Sequence, residues 1–223
     1  MSVIGNTALQ FSEEQAMLLD VAREFCRDKS PMGVVRAQLE TDTGFDGDVW
    51  DEMVGLGWTG IALPESCGGS GMGVATVVPV VEAMGRAMLG TPLISTTLAG
   101  QLLLRAGGAG ELDTVLAEIA AGAPASVALL ENEDWGNEAI ACRVDDDGRL
   151  HGAKKYVVDA TAASLFVVVV EHRGAPALAL VRAAQLPAQA MSPCTLIDQT
   201  RRAANVDFSG VELAEGALVT GPA

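Results

Sequence analysis

The sequence predicts an α+β fold in which helices come first and strands follow. Helical periodicity with capping signals dominates up to about residue 122, and short β-branched runs bounded by turn residues dominate after Pro124. The strands do not alternate with helices, as they do in sheets built from βαβ units. We therefore expect two domains, a helical one at 1–122 and a β domain at 123–223.

The first half contains five predicted helices. Ser12 and Gln15 form a capping box at the start of the first helix. Thr91 is predicted to cap the fourth helix, with Pro92 as its first residue and glycines at 107–108 as its end. Pro79 is expected to lie in the first turn of the third helix or to kink it. The other helices are predicted at 47–56, 74–89 and 111–121.

The second half reads as short strands joined by tight turns. Asp147-Gly148 and Arg173-Gly174 are predicted hairpin turns, because these pairs tolerate positive φ. Strands are predicted at 125–131, 139–145, 154–160, 164–171, 177–182 and 203–208.

The stretch GIALPESCGGSGMG at 60–73 raises a choice between a phosphate-binding loop and a simple turn. A dinucleotide fingerprint needs G-x-G-x-x-G after a strand, and a P-loop needs G-K-[ST]. The segment has neither order and is flanked by helices. It therefore predicts a turn between helices.

Composition and charge exclude several classes of protein. Apolar residues make up 49% and charged residues 19%, which argues against disorder. No apolar run reaches the length of a membrane span. The net charge of −15 argues against nucleic acid as a partner, since phosphates would be repelled. Four scattered cysteines without CxxC spacing, and no recognisable signal peptide, predict a cytoplasmic protein without a disulfide frame or metal site.

Several segments together resemble the acyl-CoA dehydrogenase family. LGWTGIALPESCGGSGMG (56–73) and EAMGRAMLGTP (82–92) look like the family's helix–turn–helix region. LHGAKKYVVDATAASLFVVVV (150–170) and LIDQTRRAANVDFSGVEL (196–213) are similar to its middle domain. The resemblance runs in order over essentially the whole chain.

The resemblance implies a helical domain followed by a barrel- or sandwich-like β domain, with FAD bound between the β domain and a C-terminal helical bundle. Family members remove a proton from the α-carbon of an acyl-CoA, and a hydride leaves the β-carbon for the flavin. We expect no counterpart of the bundle, which carries the catalytic glutamate in most members, within residues 1–223, so the catalytic base would lie on a separate chain, lie on a lost segment, or be absent. We therefore nominate no catalytic residue. Acyl-CoA, an electron-transfer flavoprotein or similar acceptor, and further subunits, identical or different, are the expected partners.

The same resemblance assigns flavin contacts to two segments. LLENEDWGNEA (129–139) corresponds to the family's L-T-E-P-x-x-G-S-D loop, and KKYVV (154–158) corresponds to its second contact strand. Leu130 and Val158 occupy positions where the family usually has threonine, so hydroxyl groups near the ring are lost and binding should be weakened. The cofactor contacts assigned in this way are Leu129, Leu130, Gly136, Asn137, Tyr156, Val157 and Val158.

Neighbouring residues have plainer interpretations when they are taken one by one. Tyr156 would ordinarily be a core or cross-strand aromatic. Glu131 is expected to be solvated, and His151 and His172 to lie on the surface. The pairs Lys154-Lys155 and Arg201-Arg202 are expected to be solvated or paired with acidic groups, with a role near the CoA phosphates as the less favoured alternative.

Three functions remain open on the sequence. The preferred one is an FAD-dependent acyl-CoA dehydrogenase, or the N-terminal and middle part of one, with a fatty acyl or sterol side-chain substrate. The second is a non-catalytic or half-site subunit of a heteromeric dehydrogenase. The third is a relative with other flavin chemistry, such as hydroxylation or nitroalkane oxidation.

Overall fold

The computed structural model describes residues 11–107, 112–132 and 139–221, and over these ranges the predicted α+β architecture is confirmed. The helices are α1 (Glu13–Lys29), α2 (Met32–Gln38), α3 (Gly47–Gly55), α4 (Val78–Ala87), α5 (Leu93–Ala106) and α6 (Asp113–Ala120). The strands are β1 (Ala125–Ala128), β2 (Arg143–Val144), β3 (Leu150–His151), β4 (Ala153–Val158), β5 (Leu165–His172), β6 (Ala175–Arg182), β7 (Met191–Pro193), β8 (Ala203–Asp207) and β9 (Leu218–Thr220). Within these ranges, no helix combines the length and the apolar character that crossing a bilayer demands.

Most helix termini follow the sequence signals, but the helix predicted at 74–89 begins only at Val78, after the 3₁₀ segment Val74–Val77, and one predicted cap fails. The Ser12 capping box is formed, and Pro79 lies in the first turn of α4. The expected cap at Thr91 is wrong. Helix α5 begins at Leu93 after Pro92, which has no side chain able to cap it, and the buried Thr91 hydroxyl has no hydrogen-bond partner in the described part of the chain.

The glycine-rich stretch is a turn, as predicted. Its amides already bond to its own carbonyls: Ser70 N donates to Gly60 O and Gly71 N donates to Leu63 O, at 2.9 and 2.8 Å. At Gly69, a Cβ atom would lie 2.2 Å from Leu63 O, so only glycine fits. A loop whose amides are engaged in this way has no cradle to offer a phosphate group.

The strands form two sheets. The larger has the order β3-β2-β5-β6-β9, with β1 also pairing with β5, and the smaller has the order β4-β8-β7. Both predicted hairpin turns are confirmed: Arg173 and Gly174, with φ of 52° and 82°, join β5 to β6, and Gly148 lies in the turn between β2 and β3. Strands β1 and β2 each pair with β5 in parallel orientation.

The predicted strand at 139–145 is largely wrong, because only Arg143 and Val144 join the ladder as β2. The main-chain amides of Ala141 and Cys142 donate instead to the carboxylate of Glu131. A side chain has taken the place of a neighbouring strand.

Strand β5 lies between two cores. Phe166 and Val168 face the smaller sheet, where they pack with Phe208 of the segment after β8. Leu165 and Val167 face the opposite way and share a core with residues of α5 and α6. Because both faces are covered, β5 is a continuous apolar run without alternation.

Candidate functional site

Strand β4 contains a bulge centred on Tyr156. Lys154 pairs with Val206 and Val157 pairs with Ala204, so two residues of β4 lie opposite the single residue Asn205. Tyr156 adopts φ of 51°, which is uncommon for a residue with a side chain. The Asn205 side chain compensates by accepting a hydrogen bond from the Tyr156 amide at 3.2 Å.

The bulge changes which side chains face outward. Lys154 and Val157 are both buried although they are three residues apart, whereas Tyr156 and Val158 are 39% and 42% exposed. The segment after β1 lies alongside, because Lys155 N donates to Leu130 O at 2.7 Å. Leu129 in that segment is 54% exposed. We call Leu129, Leu130, Tyr156 and Val158 the Tyr156 surface.

The structure therefore brings together four of the seven residues assigned to the cofactor. Val157 is only 1% exposed and lies in the core between the sheets, so the structure does not place this assigned contact on the Tyr156 surface. Gly136 and Asn137 lie outside the described residues.

The segment 129–131 is anchored from below by a buried ion pair. The Lys154 ammonium donates to the Glu131 carboxylate at 2.6 Å and to Leu129 O at 3.2 Å. The same carboxylate accepts hydrogen bonds from Ala141 N and Cys142 N, at 2.7 and 2.9 Å. Burial acts to raise the pKa of Glu131, but these hydrogen bonds outweigh it and hold the pKa below its ordinary value.

The expectation of a solvated Glu131 carboxylate is thus wrong. Of the two expectations for Lys154, solvation or pairing with an acidic group, the structure shows the pairing, in a buried position and not on the surface. The Lys154 side chain is fully buried, and a buried ammonium is tolerated only with a partner this close.

A second buried network joins α5 to the turn after β4. The Asp159 carboxylate accepts hydrogen bonds from Ser95 Oγ at 2.7 Å and from Arg201 Nη2 at 2.8 Å. Arg201 also donates to the main-chain oxygen of Thr91. Burial raises the pKa of Asp159 despite these two partners.

Arg202 also serves the fold, because it caps the C-terminal end of α2. Its guanidinium donates to the main-chain oxygens of Gln38, Leu39 and Thr41, at the C-terminal end of α2. Cations favour this end of a helix because unpaired carbonyl groups are exposed there. Both arginines of the pair are therefore used within the fold.

Two of the four cysteines and one of the two histidines have evident structural surroundings. Burial raises the pKa of Cys26 and of Cys142 to about 11, so both thiols stay protonated at neutral pH. His151 pairs with Asp145 at 2.7 Å. Among the described residues, no cluster of three or more potential ligands could hold a metal ion.

A family model described as "Acyl-CoA dehydrogenase, N-terminal domain" matches residues 12–123, half of the chain. The chain belongs to the acyl-CoA dehydrogenase family. It is 32% identical over 133 residues to the acyl-CoA dehydrogenase IpdE2 of Mycolicibacterium smegmatis, a match covering 58% of this chain and 41% of that protein.

Solved structures of the family share the fold over nearly the whole chain. A variant of the "Tcur3481-Tcur3483 steroid ACAD" superposes with a TM-score of 0.78 at 28% identity, over 90% of this chain and 56% of its own. The ChsE4-ChsE5 complex from Mycobacterium tuberculosis gives 0.80 at 22% identity, over 95% and 58%. The chain thus spans about half the length of the relatives that it matches.

The Tyr156 surface suits the flavin that the family uses. A flat ring system needs an exposed aromatic or apolar face to pack on, together with donors for its polar edge. Tyr156, Leu129 and Val158 offer the exposed aromatic and apolar face. The main-chain amides of Leu130 and Glu131 offer the hydrogen-bond donors, since no described residue accepts a hydrogen bond from either of them.

The residues of the Tyr156 surface could be predicted from the sequence, but the buried contacts that hold them in place could not. The Lys154–Glu131 pair, the Asp159 network and the role of Asn205 all join residues that are distant in the chain. One signal was present for Glu131, because the quoted family pattern L-T-E-P-x-x-G-S-D contains a glutamate at the corresponding position.

Proposed function

We propose that this chain provides the flavin-binding part of an FAD-dependent acyl-CoA dehydrogenase, with a helical domain at 1–122 and a β domain at 123–223. The observation that carries the proposal is the bulge of β4. It keeps Tyr156 in a left-handed conformation and exposes its ring beside the Leu130 and Glu131 amides, which donate to no acceptor among the described residues. Backbone strain of this kind persists where the surroundings fix it, and it occurs preferentially at functional sites.

When bound, FAD would supply the acceptor for the hydride that leaves the β-carbon of the acyl thioester. The residues of this chain would hold the ring and keep water away from it. Tyr156 and Val158 would pack on the ring, Leu129 would cover its edge, and the Leu130 and Glu131 amides would donate to its polar atoms. We assign removal of the α-proton to no residue of this chain.

A bulky acyl group is our proposal for the substrate. One superposed relative is described as a steroid acyl-CoA dehydrogenase, and at 28% identity it is more similar to this chain than its fold alone would require. We propose a CoA thioester of a sterol side chain or a long fatty acid, oxidised in the cytoplasm. An electron-transfer flavoprotein or a similar protein would act as acceptor.

A second candidate is a subunit that works only with another polypeptide. Helices α4 and α5 leave an open apolar groove of about 380 Å³, lined by Val74, Val77, Val78, Val81, Ile94 and Leu98. Four of these side chains, Val74, Val78, Ile94 and Leu98, are exposed, so the groove is a candidate contact for another polypeptide. One superposed relative, moreover, is a complex of two named proteins.

The test is a titration of the purified chain with FAD, followed by flavin absorbance and fluorescence. We expect saturable binding, and anaerobic bleaching of the bound flavin by an acyl-CoA if the chain is sufficient for catalysis. Bleaching only after addition of a second family polypeptide would favour the subunit function. Reduction by NADH followed by oxygen transfer would favour other flavin chemistry, and absence of FAD binding in every mixture would reject the flavin assignment.

One pair of substitutions tests the orientation of the surface. Leu130→Thr with Val158→Thr returns two hydroxyl groups to positions that border the proposed ring. We expect FAD affinity to rise about threefold to tenfold, the effect of about one hydrogen bond. The same change at Val21→Thr, exposed on α1, serves as the control. Unchanged affinity in the double variant would contradict the orientation.

A further inference from the structure

The Lys154–Glu131 pair lies beneath the Tyr156 surface without forming part of it. Lys154 is fully buried, and its ammonium lies 2.6 Å from the Glu131 carboxylate. Burying two charges is expensive, and well-packed apolar residues would often stabilise a protein equally well. Stability alone is therefore a weak explanation for this pair.

The contacts of the pair converge on three consecutive residues. Leu129 O accepts from Lys154 Nζ, Leu130 O accepts from Lys155 N, and the Glu131 side chain binds Lys154 and the amides of Ala141 and Cys142. The main-chain oxygens of Leu129 and Leu130 and the Glu131 carboxylate are thus all held by the protein.

The geometry of the peptide bond fixes the directions in which the Leu130 and Glu131 amides point. A trans peptide places its C=O and the following N–H on opposite sides. Since Leu129 O points at the buried Lys154 ammonium, the Leu130 amide must point away from the interior. The peptide that follows is fixed in the same way, because Leu130 O is bonded to β4, and the Glu131 amide therefore points away from that strand.

We propose that Lys154 and Glu131 are positioning residues that aim the main-chain amides of Leu130 and Glu131 at the flavin. The inference rests on the proposed function, because it assumes that FAD occupies the Tyr156 surface. The pair acts through the backbone and touches no ligand. The Glu131 carboxylate additionally holds residues 141–142 against the same segment.

The variants are chosen so that the fold survives. Lys154→Met keeps the unbranched stem and removes the ammonium. Glu131→Gln keeps the shape, but its NH₂ group would face a main-chain amide, so one acceptor is lost. Lys29→Met with Glu52→Gln removes a second Lys–Glu pair, at 2.5 Å and more exposed, which joins α1 to α3 and serves as the matched control.

Two readouts are measured on folded protein. The first is FAD affinity with the absorption spectrum of the bound flavin. We expect about tenfold weaker binding or more, with a shifted spectrum, in Lys154→Met and in Glu131→Gln, and no change in the control. The second is amide hydrogen exchange without FAD. The Ala141 amide, which donates to Oε2, should exchange faster in Glu131→Gln, and the amides of Ala141 and Cys142 should both exchange faster in Lys154→Met, where the carboxylate loses its anchor.

The outcomes separate this inference from the proposed function. Wild-type affinity and spectrum in a folded Lys154→Met or Glu131→Gln variant would overturn the positioning role while leaving FAD binding intact. Failure of the wild-type chain to bind FAD would overturn both. If Lys154→Met does not fold, Glu131→Gln decides the matter alone.

Discussion

Tyr156 combines a strained backbone with an exposed ring, and the two properties can be separated by mutation. Its φ of 51° would suit glycine, and holding another residue there costs about 1–3 kcal/mol. Tyr156→Gly relieves that strain but removes the ring. We expect the free energy of unfolding to change by less than about 1 kcal/mol, because the two effects oppose each other, while FAD affinity is lost.

The controls for this prediction are Tyr156→Phe and Met88→Gly. The first keeps the ring and should retain FAD affinity. The second replaces an exposed left-handed residue at the end of α4, and should stabilise the fold without changing FAD binding. Urea unfolding and FAD titration give both quantities. Strong FAD binding by Tyr156→Gly would contradict the role of the ring.

Glu131 makes stability depend on pH in a defined direction. Its pKa lies below the ordinary value of 4.5 in the folded chain, so the unfolded chain binds the proton more tightly. The stabilisation is therefore complete above about pH 4.5 and is lost as the pH falls through the lower folded pKa. The difference in unfolding free energy between wild type and Glu131→Gln should be constant from pH 5 to 7 and shrink below that. A difference that grows on acidification would contradict the ion pair.

At the residue scale the sequence indicated the exposed residues of the Tyr156 surface but not the buried hydrogen bonds and ion pairs beneath them. Tyr156 and Val158 could be assigned because the motif around them lies within five residues. The burial of Lys154 could not be predicted, because a bulge interrupts the alternation of buried and exposed residues along β4, and no local sequence pattern indicates that bulge. The partners of Asp159, Ser95 and Arg201, are 64 and 42 residues away.

Among the elements, the turn at 60–73 gives the sharpest test of a local sequence signal. Gly69→Ala would push a methyl group to 2.2 Å from Leu63 O, and neither piece of backbone can yield without breaking the turn. We expect a loss of about 3 kcal/mol or more in unfolding free energy. Gly85→Ala, on the exposed side of α4 with open space around it, should instead stabilise by about 0.5–1 kcal/mol. Similar melting temperatures for the two variants would contradict this account of the turn.

The accuracy of the element predictions depended on how local the determinants were. Caps, prolines and hairpin turns identified most helices and both hairpins, because each signal acts within a few residues. Helix α2 went unnoticed, since its seven residues are too few to show a period and its end is capped by Arg202 from another part of the chain. The strand expected at 139–145 fails for a similar reason, since Glu131 binds the amides that a ladder would use.

At the scale of the whole molecule, the helical and strand-rich halves share one core. Strand β5 carries apolar residues on both faces, one set packed on the smaller sheet and the other on α5 and α6. The division at 122/123 that we propose thus marks a change of secondary structure across which the packing continues. Unfolding of the two halves should therefore be coupled.

Arg202 extends this coupling to the far side of the helical half. It reaches from the edge of β8 to carbonyl groups at 38–41, more than 160 residues earlier in the chain, and binds three of them. Arg202→Met leaves those carbonyls without their cation. We expect a loss of about 1–3 kcal/mol in unfolding free energy and faster amide exchange in α2, because water replaces only part of the lost bonding. Arg27→Met, which removes exposed ion pairs on α1, should cost less than about 0.5 kcal/mol and leave α2 unchanged. Equal exchange of the α2 amides in wild type and Arg202→Met would show that the helix is held by its own packing and that the second arginine of the pair serves another purpose.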